Sequence, residues 1–275
     1  MGTLVHDNYV KRWLRAEMAI CHTLGVMRTV CLFLAAALVG SPQNATAPAV
    51  KLASESQTTE TLQYGVEWRL VRAGTAKLSF TPHGEGLVGD LHLESQGLVS
   101  RLYKIDDTYR VNLDSALCGT SSVLKANEGK RKRETRVTYD GARKKATYLE
   151  RDLVKNAVVL TKEIEIPGCV HDFVAGLQKI RGLRLEPGQA VDVPVSDGKK
   201  FAKVRVEAQE RETVKTPLGS HRAMRYEVFL FNDVILKREA RCYVWISDDP
   251  KKLPVQIRVK MQFLIGTVNL ALERS

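Results

Sequence analysis

The sequence lacks any apolar run near the roughly 20 residues that a membrane-spanning helix requires; its main one, Val30 to Val39, is about half as long. It also lacks a G-x-S-x-G nucleophile elbow and a phosphate-binding P-loop, so the familiar hydrolase and kinase chemistries have no anchor. No Pro/Gly/Ser-rich linker and no fixed-period repeat divides it. Cysteine is scarce, and beyond residue 47 only Cys118, Cys169 and Cys242 remain. No two of these lie at zinc-ligand spacing and no histidine joins them, which disfavours a metal site. An odd count leaves at least one thiol free or paired between chains. A disulfide is open to an exported chain, but three small buried hydrophobes is the favoured reading, and it predicts three free thiols.

What is present begins with an address. Met27-Arg28, the apolar stretch Val30 to Val39 and the small-x-small triplet Ala45-Thr46-Ala47 have the layout of a secretory signal peptide. Cys31 lies at the start of the apolar core rather than after it, which removes a lipoprotein reading. Residues 1 to 26, with Lys11, Arg12 and Arg15, precede the basic end that normally opens such a signal. Met18 or Met27 is therefore the expected start, with an unusually long basic leader as the alternative. The expected organisation is a leader and signal peptide at 1–47, a flexible tether at 48–60 and a single β-rich domain at 61–275, exported to the periplasm or cell envelope. The 228 residues after Ala47 carry 38 Lys/Arg against 29 Asp/Glu, spread along the chain, and their length suits one all-β domain.

Period-two alternation dominates that domain. Val66, Trp68 and Leu70 alternate with Glu67 and Arg69; after a turn expected at Ala73-Gly74, Ala76, Leu78 and Phe80 alternate with Lys77 and Ser79. The pattern recurs at 87–93, 109–113, 204–208, 224–230 and 255–261. Asp140-Gly141 marks an expected two-residue hairpin turn, because both residues tolerate positive φ. One segment departs: Phe173, Val174, Leu177 and Ile180 recur at helical spacing, with Asp172 placed to cap the start and Gly182 to end the last turn. A weaker helical signal covers 98–103. The fold expected is mainly β, a large curled antiparallel sheet forming a half-barrel or barrel with one short helix against its concave face. A two-sheet sandwich is the alternative that periodicity leaves open.

Several motifs bear on chemistry. Gly84-x-Gly86-x-x-Gly89 matches a dinucleotide fingerprint, but the alternating Asp90 to Glu94 follows where a helix is needed, so it is a glycine-rich hairpin. His171 precedes the capping Asp172 and is expected at the surface. The basic run Lys130-Arg131-Lys132-Arg133, with Arg143-Lys144-Lys145 across the hairpin, is a candidate anionic-surface patch for lipid head groups or envelope polymers. A solvated hairpin whose charges protect an edge strand is the favoured reading. Aromatic residues are not interleaved there, which speaks against nucleic acid.

Four phrases occur in order: Tyr64-Gly65-Val66-Glu67-Trp68 with Ala73-Gly74; the Asp172 to Arg181 helix; Thr216-Pro217-Leu218-Gly219; and Val244 to Asp249 leading to Pro254-Val255. Together they resemble the exported bacterial domain-of-unknown-function family 3108, over about Leu62 to Leu272. The resemblance implies an exported, β-rich protein with no assigned activity and no catalytic residues to carry over. The helix here, Gly176 to Ile180, lacks the aromatics of the family pattern, so its packing is expected to differ.

Two functions from different classes follow. The first is a non-enzymatic envelope protein whose curled sheet binds or carries an apolar or lipidic ligand, with Leu177 and Ile180 facing it. The second is an envelope scaffold or interaction protein whose interior is filled by side chains. Inward apolar residues look alike in the two cases. No catalytic residue, cofactor or metal ligand is expected. The expected partner is a lipid or envelope component, with peripheral membrane contact and no nucleic acid.

Overall fold

Strand alternation is realised as one continuous antiparallel sheet. The computed structural model describes residues 58–262 and 266–275. The expected signal peptide and most of the tether therefore lie outside the described residues. Eight strands come first: β1 (Glu60–Trp68), β2 (Val71–His83), β3 (Gly86–Ser95), β4 (Asp106–Leu113), β5 (Gly119–Glu128), β6 (Arg131–Asp140), β7 (Lys145–Asp152) and β8 (Ala157–Glu165). A short helix α1 (Gly97–Leu102) sits between β3 and β4, and α2 (Phe173–Arg181) follows β8. The chain then forms β9 (Ala190–Ser196), β10 (Phe201–Thr216), β11 (Gly219–Val228), β12 (Ala240–Ser247), β13 (Pro254–Met261) and β14 (Thr267–Arg274). Sequential neighbours pair as two meanders, and β1 pairs with β14 to make one 14-stranded sheet, so the sandwich alternative is excluded. A sheet this wide cannot stay flat, and it curls around its apolar face.

That inner face carries Leu62, Tyr64, Leu78, Phe80, Val111, Val206, Tyr226, Val244, Val255 and Leu272, which pack into one cluster together with α2. Strand β12 is buried on both faces. On the outer side, Tyr243 and Trp245 lie under Arg225, Arg241 and Arg258; Arg225 is paired with Glu210 and Glu212, and Arg241 with Glu227. This explains the near-continuous apolar run Cys242 to Ile246.

One expected turn is placed differently, and another is longer than expected. The β1–β2 turn is Arg69-Leu70, both at positive φ, while Ala73-Gly74 lies inside β2. Gly74 is required there by close approach, since a Cβ would meet the Glu94 carbonyl oxygen of β3. The β6–β7 connection spans residues 141–144, with Lys144 rather than Gly141 at positive φ. Gly141 instead makes room for the Gly168 carbonyl oxygen.

Strands β8 and β9 end the sheet and do not pair with one another. The strap 166–171 crosses between them. Ile166 N donates to Lys144 O (2.9 Å), Gly119 N donates to Val170 O (2.8 Å), and His171 exchanges backbone bonds with Pro194 O and Ser196 N of β9 (2.8 and 2.9 Å). His171 is buried rather than at the surface, because this bridge takes it inside, where Nδ1 meets Leu117 O at 2.9 Å. Cys169 on the strap is disulfide-bonded to Cys118, 51 residues away, which corrects the expectation of three free thiols. Cys242 is free and buried, and burial pushes its thiol up to about 12. Thiol titration of denatured, unreduced protein that begins after Ala47, and so lacks Cys21 and Cys31, should therefore report one thiol. Replacing Cys118 and Cys169 together with serine should cost about 2–5 kcal/mol in denaturant melts, because the unfolded chain regains the freedom of the closed loop.

Candidate functional site

Helix α2 organises the interior, and its ends explain why the chain is helical there. Asp172 Oδ1 accepts the Val174 and Ala175 N–H groups (2.9 and 2.7 Å), satisfying two donors that a helix start leaves open. Its Oδ2 accepts the Tyr109 hydroxyl at 2.7 Å. Burial raises the Asp172 carboxyl pKa, and these three donors oppose that rise. At the other end, Arg181 forks onto Glu60 (2.5 and 2.8 Å) and donates to the Lys251 and Lys252 carbonyl oxygens. The first turn of the helix rests on β3 at Gly89, where a Cβ would lie 3.0 Å from Val174 Cγ1 and 3.0 Å from Val111 Cγ1. The last glycine of the G-x-G-x-x-G match is thus a seat for a helix inside a hairpin sheet.

Leu177 and Ile180, the expected ligand-facing pair, are 9 % and 5 % exposed and belong to the packed cluster around Leu62, Tyr64 and Val255. They line neither of the two recesses described below.

Beneath β5 to β7 a second apolar cluster, built on Val137, Tyr139, Ala146, Tyr148, Ile166 and Val170, adjoins a polar end of the interior. Arg131 and Arg133 point inward, Arg131 to Glu128 and Glu150 (both 3.3 Å), Arg133 to Glu150 (3.6 Å) and Asp152 (3.2 Å). Tyr148 donates its hydroxyl to Glu150 at 3.0 Å. The expected basic patch is consequently not assembled. Lys130 and Lys132 are exposed beside these internal arginines, while Arg143, Lys144 and Lys145 lie at the opposite end of β6, about 30 Å away at strand rise. Arg143 is paired with Asp140 and Lys145 with Glu163.

Asp107 sits at the edge of this polar interior, accepting the Asn127 N–H at 2.7 Å. Burial, reinforced by Glu128 and Asp106, lifts its carboxyl from 3.8 to about 6. A raised acid contributes stability that is full below its unfolded value and is lost as pH rises through about 6. Asp107→Asn should therefore melt higher than the parent protein at pH 8, with the difference closing near pH 4; this is read from paired thermal melts, and a difference that does not depend on pH contradicts it.

The recesses lie on the outer face of β2 to β7. The larger, about 620 Å³, is lined by Lys77, Ser79, Asp90, Thr108, Arg110, Val123, Lys125 and Arg136 among others. The smaller, about 200 Å³, shares Arg136 and adds Glu134, Leu149 and Arg151. Strand register aligns Lys77, His92, Thr108, Lys125, Glu134 and Arg151 in one row across β2 to β7, about 24 Å long. Arg110 and Arg136 are each held by a carboxylate at 2.7 Å, Asp90 and Glu134 respectively. Lys77, Lys125 and Arg151 make no ion pair among the described residues, so the row can hold an anion in water-exposed contacts. Sequence reading missed this row. Alternation placed each residue on a wet face, but which of them share a row depends on register across six strands.

The geometry defines a class first: an open antiparallel β half-barrel occupied by a helix. The chain belongs to the family described as protein of unknown function DUF3108, whose model matches residues 63–273. Among solved structures, a beta-barrel-like protein of domain of unknown function DUF1849 from Brucella abortus shares the fold. Its TM-score is 0.52 at 8 % identity, covering 78 % of this chain and 96 % of that one. The MucA/MucB complex of Pseudomonas aeruginosa aligns with a TM-score of 0.16 at 8 % identity over 79 % of this chain and 89 % of that one, too low to support an argument. A search of curated proteins found no match.

Proposed function

We propose that this chain is an exported, non-catalytic protein of the cell envelope that acts through its surfaces, its half-barrel being filled by its own helix. The observation that carries this reading is α2, pinned at Asp172 and Arg181 with Leu177 and Ile180 embedded in the apolar cluster. The Cys118–Cys169 disulfide supports export, because such bonds persist in oxidising compartments. The outer row of cations is the face offered to an anionic envelope component.

Protein purified from the envelope fraction should begin between Ala45 and Ala49 on N-terminal sequencing; an intact Met1 or Met27 would overturn export. For the interior, Leu177→Trp adds volume where side chains are already packed, and should destabilise by about 1–3 kcal/mol. Lipid extracts of detergent-free protein should be empty by mass spectrometry. An unchanged melting temperature in Leu177→Trp, together with a co-purifying lipid that the variant loses, would instead establish carriage of an apolar ligand.

A further inference from the structure

We infer that one end of the first meander, β1 to β8, is a docking surface for an anionic lipid bilayer, with apolar turn tips entering the interface and cations meeting the headgroup phosphates. Four connections gather at that end: Arg69-Leu70 between β1 and β2, residues 96–105 carrying α1, Gly129-Lys130 between β5 and β6, and 153–156 between β7 and β8. Backbone hydrogen bonds stitch them into one row. Gln96 N donates to Ala73 O of β2 (2.7 Å), Gly129 N to Lys104 O (2.8 Å) and Leu153 N to Lys132 O of β6 (2.9 Å). Six strand spacings separate the first connection from the last, about 29 Å.

Five of the eleven exposed large apolar side chains among the described residues lie on these connections or beside them: Leu70 (94 %), Val154 (65 %), Leu98 (63 %), Val71 (51 %) and Leu153 (45 %). The opposite end of the same strands, at 84–85, 114–118 and 141–144, has none. Leu70 is held against two preferences at once. It stands almost wholly in water, and at φ 66° it occupies a left-handed turn position that suits Asn or Gly and is unusual for a bulky aliphatic side chain. Neither the turn nor the core accounts for a leucine there, whereas insertion into hydrocarbon does.

Charge selects the kind of bilayer. The four connections contain Arg69, Arg101, Lys104, Lys130 and Lys155 and no Asp or Glu, while the three opposite ones contain two residues of each sign. Carboxylates at the adjoining strand ends are already engaged: Asp106 with His92 (2.9 Å), Glu128 with Arg131 (3.3 Å) and Asp152 with Arg133 (3.2 Å). Arg101, Lys104 and Lys130 make no ion pair among the described residues. A soluble polyanion would use these cations and leave the apolar tips in water. A protein partner would want one continuous apolar patch, and here the tips are spread along the row between cations; a bilayer closes around each tip separately.

Mature protein beginning after Ala47, which keeps all fourteen strands, should co-sediment with vesicles of equal parts phosphatidylglycerol and phosphatidylcholine. Vesicles of phosphatidylcholine alone should bind it at least about tenfold more weakly, because each cation close to an anionic surface is worth about fivefold in affinity. Leu70→Asn should weaken binding to the mixed vesicles about tenfold or more while the melting temperature is kept or raised, since Asn suits the turn. Leu70→Trp should retain binding, because an indole settles at the membrane interface. Arg101→Glu combined with Lys130→Glu should weaken it about tenfold or more, whereas Lys125→Glu, in the outer cation row, should change it by no more than about twofold. A protein that ignores the mixed vesicles overturns the inference, as does binding that survives Leu70→Asn or falls as far with Lys125→Glu as with the paired substitution. The surface is separate from the outer cation row, and N-terminal sequencing tests export on its own, so failure here would leave export and the filled interior standing.

Discussion

The pairing of β1 with β14 is the constraint on which the rest of the molecule depends. Every other ladder joins neighbours in sequence and is closed by a short turn or loop, by the segment carrying α1 between β3 and β4, or by the β11–β12 loop. This one brings together the first and last strands, with Tyr64 opposite Leu272 and Val66 opposite Leu270. Without it the chain would form an eight-stranded and a six-stranded meander, each with two bare edges and half a core. The junction is correspondingly well buried: Tyr64 and Leu272 are almost wholly inaccessible, and the Tyr64 hydroxyl donates to the Pro254 carbonyl oxygen at 2.9 Å. Desolvation there raises the phenol pKa, so it remains a neutral donor.

Once the two meanders are one sheet, curling creates an interior that needs filling, and the chain fills it in two ways. Against β1, β2 and β9 to β14 the filling is apolar and includes Leu177 and Ile180 of α2. Beneath β5 to β7 a smaller apolar cluster around Val137, Tyr139, Ala146 and Tyr148 gives way to an ionic one, with Arg131 and Arg133 opposing Glu128, Glu150 and Asp152. A buried ionic cluster of this kind contributes less net stability than an apolar core of equal size, because its groups must first be stripped of water. The helix stands where these halves meet. Its cap, Asp172, takes a hydrogen bond from Tyr109 of β4, and its end, Arg181, is tied to Glu60 of β1.

The two edges show how an open sheet is managed. On the β9 side, the strap, the buried His171 and the Cys118–Cys169 bond hold a short covering segment in place. The strap also delivers the chain into α2, so the disulfide fixes the helix as well as the seam. On the β8 side no segment covers the strand among the described residues; instead its ladder to β7 is interrupted by a bulge between Val158 and Leu160, which hinders further strand addition.

Local physics was legible in the sequence wherever neighbours along the chain decide the outcome. Alternation located the strands, the 3.6-residue spacing of Val174, Leu177 and Ile180 located α2, and Asp172 and Gly182 marked its ends as observed. Ala73-Gly74 looks like a turn yet lies inside β2, where Gly74 is needed because another backbone passes close. Asp140-Gly141 does open the β6–β7 turn, which runs over four residues rather than two, and Gly141 also makes room for a neighbouring carbonyl. Such closeness is a property of the packed fold. The same reason hid the Cys118–Cys169 pair, the burial of His171, the separation of Lys130–Arg133 from Arg143–Lys145 and the alignment of Lys77, Lys125 and Arg151. By itself, then, the sequence determined which residues face inward or outward along each element, because side-chain direction repeats every 2 or 3.6 residues. Only the tertiary structure decided which of those faces meet, because register and the β1–β14 junction join segments that are far apart in the chain.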